Sequence, residues 1–71
     1  MVDVNKLKAK IVERGLNVER LAESIGIDRA TLYRRLTNGS TFTIGEADLI
    51  ANALDLNGDD VNAIFFAQFV A

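Results

Sequence analysis

Two residue types that dominate catalytic and metal sites are absent from this chain, which contains no cysteine and no histidine. Without cysteine there are no disulfides, thiol nucleophiles or thiolate metal ligands, and without histidine the commonest general base and metal ligand is missing. The remaining hydroxyls and carboxylates, Ser24 and Ser40 among them, show no dyad with a base. The composition therefore predicts that the protein is not an enzyme, and that it binds no metal and no cofactor.

Long apolar runs are absent as well. A membrane-spanning helix needs roughly 18 apolar residues, and no run in this chain approaches that length. Residues 1–10 also lack the apolar core of a signal peptide. We therefore expect a cytoplasmic protein with no membrane partner and no small-molecule substrate. The 71 residues, of which 49% are hydrophobic, predict a single small domain over residues 1–71.

Positive charge is absent from the second half of the chain. The net charge of −2 argues by itself against a nucleic-acid partner. However, all eight cations precede Thr37, where they outnumber five acids by three, and the other five acids follow Thr37 without any cation. This asymmetry predicts a basic pole suited to phosphate and an acidic pole. Acids also stabilise the N-termini of helices, which is a second explanation for their positions.

Residues 17–39 predict two short helices separated by a tight turn. Asn17 is suited to cap the first helix, Gly26 to end it in a left-handed conformation, and Asp28 to cap the second helix. The apolar stripe of the first helix consists of Leu21, Ala22 and Ile25. This is the layout of a DNA-reading helix-turn-helix.

The second helix of this pair, predicted from Arg29 to Leu36, has a mixed surface. Leu32 and Leu36 lie one turn apart and form its inward ridge. The residues that face away from this ridge are Arg29, Ala30, Tyr33, Arg34 and Thr37. A basic helix face is often only a solvated surface. The small Ala22, the turn at Gly26 and side chains that hydrogen-bond base edges and phosphates together favour a DNA-reading surface.

The run LAESIGIDRATLYRRLTNG resembles the helix-turn-helix of the lambda-repressor-like, Cro-type family of phage and bacterial transcriptional regulators. The residues that carry the resemblance are Leu21, Ala22, Gly26, Asp28, Asn38 and Gly39. The resemblance implies an all-α, compact five-helix DNA-binding domain with its helix-turn-helix at helices 2 and 3. It also implies that the second helix of the pair enters the major groove of double-stranded DNA, and that the loop of residues 38–41 lies against the DNA backbone.

On this interpretation, the outward face of the recognition helix reads bases. We expect base-edge contacts from Arg29, Ala30, Tyr33 and Arg34, because arginine can bind guanine bidentately and alanine can meet a thymine methyl. We expect contacts to the DNA backbone from Lys10, Thr31, Arg35, Thr37, Asn38 and Ser40. Two alternatives stay open. In the first, Arg35 forms an ion pair with an acid on the first helix instead of contacting DNA. In the second, the lysines of the first helix only keep the protein soluble.

Two more helices flank this pair in the predicted domain. The first helix of the chain is expected from about Val4 to Arg14, and its apolar stripe consists of Val4, Leu7 and Ile11. The fourth helix is expected from about Ile44 to Leu54, and Thr43 and Glu46 have the spacing of a capping box at its start. Its buried residues are expected to be Ala47, Ile50, Ala51 and Leu54.

The fifth helix is expected to open at Asp59 and Asp60, whose charge suits a helix N-terminus. Its core stripe consists of Val61, Ile64 and Phe65, and Phe42 is expected in the core beside Ile44. A second apolar set consists of Phe66, Phe69 and Val70 and exceeds what one small domain can bury. We therefore expect a homodimer joined through these three side chains. The alternative is that the last turn bends back and packs Phe69 on its own domain.

The sequence thus predicts a sequence-specific, double-stranded DNA-binding transcriptional regulator, a small phage or prophage repressor that acts by operator occupancy. The alternative is a protein-interaction module, such as an antirepressor or an adaptor, that uses the same fold without binding DNA.

Overall fold

The computed structural model describes residues 2–37 and 42–66. These residues form five helices, which are α1 Val4–Glu13, α2 Val18–Ile25, α3 Arg29–Thr37, α4 Ile44–Ala53 and α5 Gly58–Phe65. The two described ranges contain no strand, and none of their helices is long and apolar enough to cross a membrane. The all-α, five-helix prediction is confirmed. The predicted bounds of α1, α3 and α4 and the predicted start of α5 lie within one residue of the observed ones.

Side-chain caps fix the helix starts. The N-caps of α1, α2, α4 and α5 are Asp3, Asn17, Thr43 and Asn57. Thr43 and Glu46 form the predicted capping box. A second capping box joins Asn57 to Asp60, so α5 begins at Gly58, one residue earlier than predicted. Each cap satisfies backbone N–H groups that would otherwise have no partner at a helix start.

The core lies between the helix pair and the other three helices. Its fully buried large side chains are Leu7, Leu21, Leu32, Ile50, Leu54 and Ile64. Helix α2 packs against both α3 and α4, and α1 packs against α5. The apolar stripes predicted for α1, α2 and α3 all face this core. Helix α3 is therefore held from behind by α2, which leaves its opposite face toward solvent.

Arg14 connects the end of α1 to the end of α4, a contact that the sequence did not predict. Its Nε donates to the Leu54 carbonyl oxygen at 2.7 Å, and its Nη2 donates to the Asp55 carbonyl oxygen at 3.2 Å. Asp55 has a positive φ of 51°, so the chain turns sharply at this point. The guanidinium thus satisfies carbonyl groups that the end of a helix leaves without partners.

Phe42 and Ile44 do not pack together as predicted. Phe42 is half-buried against the core, and its ring meets that of Phe65 edge-on with centroids 6.1 Å apart. Ile44 is 83% exposed, so the expected contact is wrong. Ile44 is the first residue of α4, and it lies on a side of that helix that the core does not cover.

Candidate nucleic-acid interface

The turn between α2 and α3 has the predicted geometry. Gly26 adopts a left-handed conformation with φ 72° and ψ 26°, which suits glycine because a Cβ would be strained there. The Ile27 amide donates to the Ala22 carbonyl oxygen at 3.1 Å and closes the turn. One oxygen of Asp28 then accepts from the amides of Ala30 at 3.1 Å and Thr31 at 3.3 Å. Asp28 is therefore the cap of α3.

The outward face of α3 is exposed, as its periodicity predicts. Leu32 and Leu36 are 0% and 3% exposed and form the inward ridge. The exposed residues of the helix are Arg29, Ala30, Tyr33, Arg34 and Thr37. The four side chains predicted to contact bases therefore lie on one accessible surface.

The two arginines of this face differ in their surroundings. Arg29 Nη1 lies 3.2 Å from Glu19 Oε2 at the start of α2, and both side chains are more than half exposed. Such a solvent-exposed pair contributes at most about 1 kcal/mol, so a guanine edge can compete with it. Arg34 makes no ion pair or side-chain hydrogen bond with any residue in the described ranges. Contact with DNA would therefore cost Arg34 no bond to any residue that the structure describes.

Tyr33 borders an apolar groove of about 270 Å³ between α1, α2 and α3. The groove is lined by Lys8, Ile11, Val12, Leu16, Asn17, Val18 and Tyr33. Lys8 is its one cation, and it has no ion-pair partner within the described residues. Sequence reasoning grouped Lys8 with the other lysines of the first helix. Its helical spacing from Ile11 and Val12 is the signal that places it on the side of α1 nearest Tyr33.

Arg35 is bound to an acid, but not to one on the first helix. Its guanidinium pairs with Glu46 of α4 and lies over the Phe42 ring, 5.8 Å from the ring centroid. The predicted alternative of an acid on the first helix is therefore wrong, because α3 presents this side chain toward the start of α4. A backbone contact by Arg35 stays a prediction, and it would compete with Glu46.

The other predicted backbone contacts have varied surroundings. The Lys10 ammonium lies 3.3 Å from Glu13 and 3.6 Å from Asp60, so phosphate would have to share it with two carboxylates. The Thr37 hydroxyl donates to the Tyr33 carbonyl oxygen at 2.8 Å, and Thr31 is half-buried. Asn38 and Ser40 lie outside the described residues.

The fold changes the acidity of the Glu46 carboxyl. The hydrogen bond from Arg35, followed by that from the Thr43 backbone, holds the pKa of Glu46 below its ordinary value. Because folding lowers this pKa, the pair stabilises the fold at neutral pH. That contribution is lost as the pH falls through the acidic range in which the carboxylate takes up a proton.

The predicted dimer residues lie at the other end of the chain. Phe66 is the C-cap of α5 and is 39% exposed, whereas Phe69 and Val70 lie outside the described residues. Phe66 borders a second groove, of about 190 Å³, between α4 and α5. This α4–α5 groove is lined by Ile44, Ala47, Asp48, Ala51, Val61 and Phe66. Its walls are thus apolar except for one carboxylate.

Two helices joined by a glycine turn, with a basic outward face on the second, define a helix-turn-helix domain. A family model for helix-turn-helix proteins of the Cro and lambda-repressor type matches residues 7–61, and the chain belongs to that family. Its members are DNA-binding transcription regulators, and the predicted resemblance is confirmed. Searches of curated proteins and of solved structures gave no match.

Proposed function

We propose that this protein is a sequence-specific regulator that binds double-stranded DNA, a small phage or prophage repressor that occupies its operator in the cytoplasm. The observation that carries the proposal is the accessible face of α3, with Arg29, Ala30, Tyr33 and Arg34 outward while Leu32 and Leu36 are buried. A major groove admits an α-helix and presents a distinct pattern for each base pair. A rigid helix with an exposed polar face is the element that reads this pattern.

Each side chain of this face has a distinct chemical role. Arg34 would bind guanine O6 and N7 with two hydrogen bonds. Arg29 would bind a guanine in the same way once it has released Glu19. Ala30 would contact a thymine methyl group. Tyr33 would stack on a sugar or donate its hydroxyl to a phosphate. The excess of positive charge before Thr37 supplies the attraction to phosphate that acts on any sequence.

Arg34→Ala should weaken binding to the preferred sequence by about 1–3 kcal/mol, or roughly 5- to 150-fold, and relax preference at one base position. Arg34→Lys should restore affinity for random duplex but not the preference, because lysine keeps the charge and lacks the bidentate geometry. The measurement is selection of bound sequences from a random duplex pool, followed by titration of each variant with the selected and random duplexes.

Lys6→Ala is the matched control, because it also removes one positive charge from an exposed position. Lys6 lies on a different side of α1 from Lys8 and Val12, which line the groove beside Tyr33. Lys6→Ala should leave base preference intact. If the wild type selects no sequence, the protein-interaction alternative is favoured. If it selects a sequence that Arg34→Ala reads equally well, Arg34 does not contact bases.

The active form in this proposal is a symmetric homodimer. One helix-turn-helix reads few base pairs, whereas two copies about one helical turn apart read a palindromic site with higher affinity. The α4–α5 groove supports a second copy as its occupant, since Phe66, the first of the three predicted interface residues, is part of its lining. In a two-fold interface, each Phe66 can enter the groove of the partner, and Ile44, 83% exposed in the monomer, becomes covered.

Phe66→Glu and Ile44→Glu should each weaken the dimer by about 3 kcal/mol, or a hundredfold or more in Kd, because each places a charge in an apolar interface. Leu49→Glu is the control. Leu49 is 46% exposed on α4 but does not line the groove. Light scattering over a concentration series measures the mass of each variant. A wild type that stays monomeric at all concentrations and on DNA would contradict the proposal, as would equal effects of all three changes.

A further inference from the structure

Arg35 is the cation of α3 that points away from the predicted reading surface. Its side chain is 29% exposed and that of Glu46 is 19% exposed, compared with 61% for Arg29 in its pair with Glu19. The pair joins α3 to α4 across residues 38–41 of the chain. It is therefore a link between the recognition helix and the body of the domain.

Glu46 is fixed through both of its carboxylate oxygens. Oε1 accepts a hydrogen bond from the Thr43 amide at 2.9 Å, within the capping box of α4. Oε2 faces the Arg35 guanidinium. Because one oxygen is bound to the backbone at the start of α4, the carboxylate has a defined position when the other oxygen binds Arg35.

The Phe42 ring fixes the guanidinium from a second direction. It lies 5.8 Å from Arg35, within the range of a cation–π contact. The ring itself is held edge-on against Phe65 of α5. Arg35 is thus held by two contacts that lead to two different helices.

The ion pair with Glu46 adds a directional contact to the apolar ridge that holds α3. Leu32 and Leu36 hold the helix by burial, and the ion pair has a defined direction as well. Arg35 follows Arg34 directly in the helix, so a rotation that displaces one displaces the other. Contacts to base edges require positioning within a fraction of an ångström.

We propose that Glu46 and Phe42 are positioning residues for DNA reading, which act by holding Arg35 so that Arg34 and Tyr33 face the major groove in one orientation. The inference rests on the proposed sequence-specific binding. It assigns to Arg35 a role behind the reading surface instead of a contact with phosphate. Removal of the acidic Glu46 should strengthen attraction to DNA, yet weaken recognition of the preferred sequence.

Glu46→Gln is the decisive variant. A glutamine at this position of a capping box can still accept the Thr43 N–H bond, so α4 keeps its start while the charge that binds Arg35 is lost. Titrations use the wild-type selected duplex and a random duplex. The selected duplex should bind about three- to tenfold more weakly, in the range of coupling effects between packed elements. The random duplex should bind equally or more tightly.

Two further variants separate positioning from other roles. Asp59→Asn removes one exposed acid from α5 and should leave the ratio of the two affinities unchanged. Arg35→Lys keeps the charge. It should lower the ratio of the two affinities as Glu46→Gln does, and its binding should depend on salt as that of the wild type does. Helical content measured by circular dichroism gives the folded fraction, by which each affinity is corrected.

The inference is overturned if the wild type shows a preference that Glu46→Gln retains in full. A second result would also overturn it. In that result Arg35→Lys binds as the wild type does, and the salt dependence of binding by Arg35→Ala shows one phosphate contact fewer. Arg35 would then contact the DNA backbone. A wild type without any preference overturns the proposed function itself, which is a different result.

Discussion

Leu32→Ala is expected to destabilise the fold by about 2–5 kcal/mol, the range for the removal of a buried leucine side chain that leaves a cavity. Leu32 is fully buried in α3, and it belongs to the same core as Leu21 of α2. A small domain has a total stability on the order of 5 kcal/mol. This single change should therefore unfold a large part of the protein and abolish DNA binding with it.

The measurement is urea denaturation followed by the helical circular dichroism signal. Val12→Ala is the control, because Val12 is a branched apolar residue that is 74% exposed on α1. Its effect should stay within about 0.5 kcal/mol. If Leu32→Ala lowers the free energy of unfolding by less than about 1 kcal/mol, the ridge of Leu32 and Leu36 does not hold α3 in place.

The helix pair could be predicted because its signals act over a few residues. Asn17 and Asp28 each bond to amides no more than three residues away, and Gly26 closes its turn onto α2. These contacts depend on local backbone geometry, which residue type and spacing determine. The outward face of α3 follows equally from the one-turn separation of Leu32 and Leu36.

The contacts that orient α3 could not be predicted in the same way. Arg35 had ten acids in the chain as possible partners, and only the position of the start of α4 beside Arg35 selects Glu46. The bond from Arg14 to the Leu54 carbonyl oxygen spans 40 positions of the chain. No local pattern encodes such a contact, since it depends on where two separate helices end.

The error at Ile44 has a different origin. Helix α4 has apolar residues on several sides, so its periodicity does not isolate one buried face. Ile50 proved to be buried, whereas Leu49 and Ile44 are exposed. An apolar helix with a broad hydrophobic surface can face the core on one side and a partner on another. The sequence pattern alone does not distinguish these two faces.

Binding to DNA is expected to weaken about 10³-fold or more between 50 and 200 mM salt if the dimer contacts roughly 6–10 phosphates. The reason is the distribution of charge, with every cation before Thr37 and none after it. Each cation that neutralises a phosphate releases a condensed counterion, and the slope of log affinity against log salt counts these contacts. Titrations of selected and random duplexes at several salt concentrations measure this slope.

Variants at two charged positions show which pole of the domain faces the DNA. Lys10→Gln should weaken binding to selected and random duplexes alike if its ammonium leaves Glu13 and Asp60 for a phosphate. Asp59→Asn, at the start of α5, should raise affinity for random duplex only slightly, because water and salt screen the charge of an exposed acid. Binding that does not depend on salt would contradict the basic-pole proposal. A gain in affinity for Asp59→Asn as large as the loss for Lys10→Gln would mean that the start of α5 also lies against the duplex.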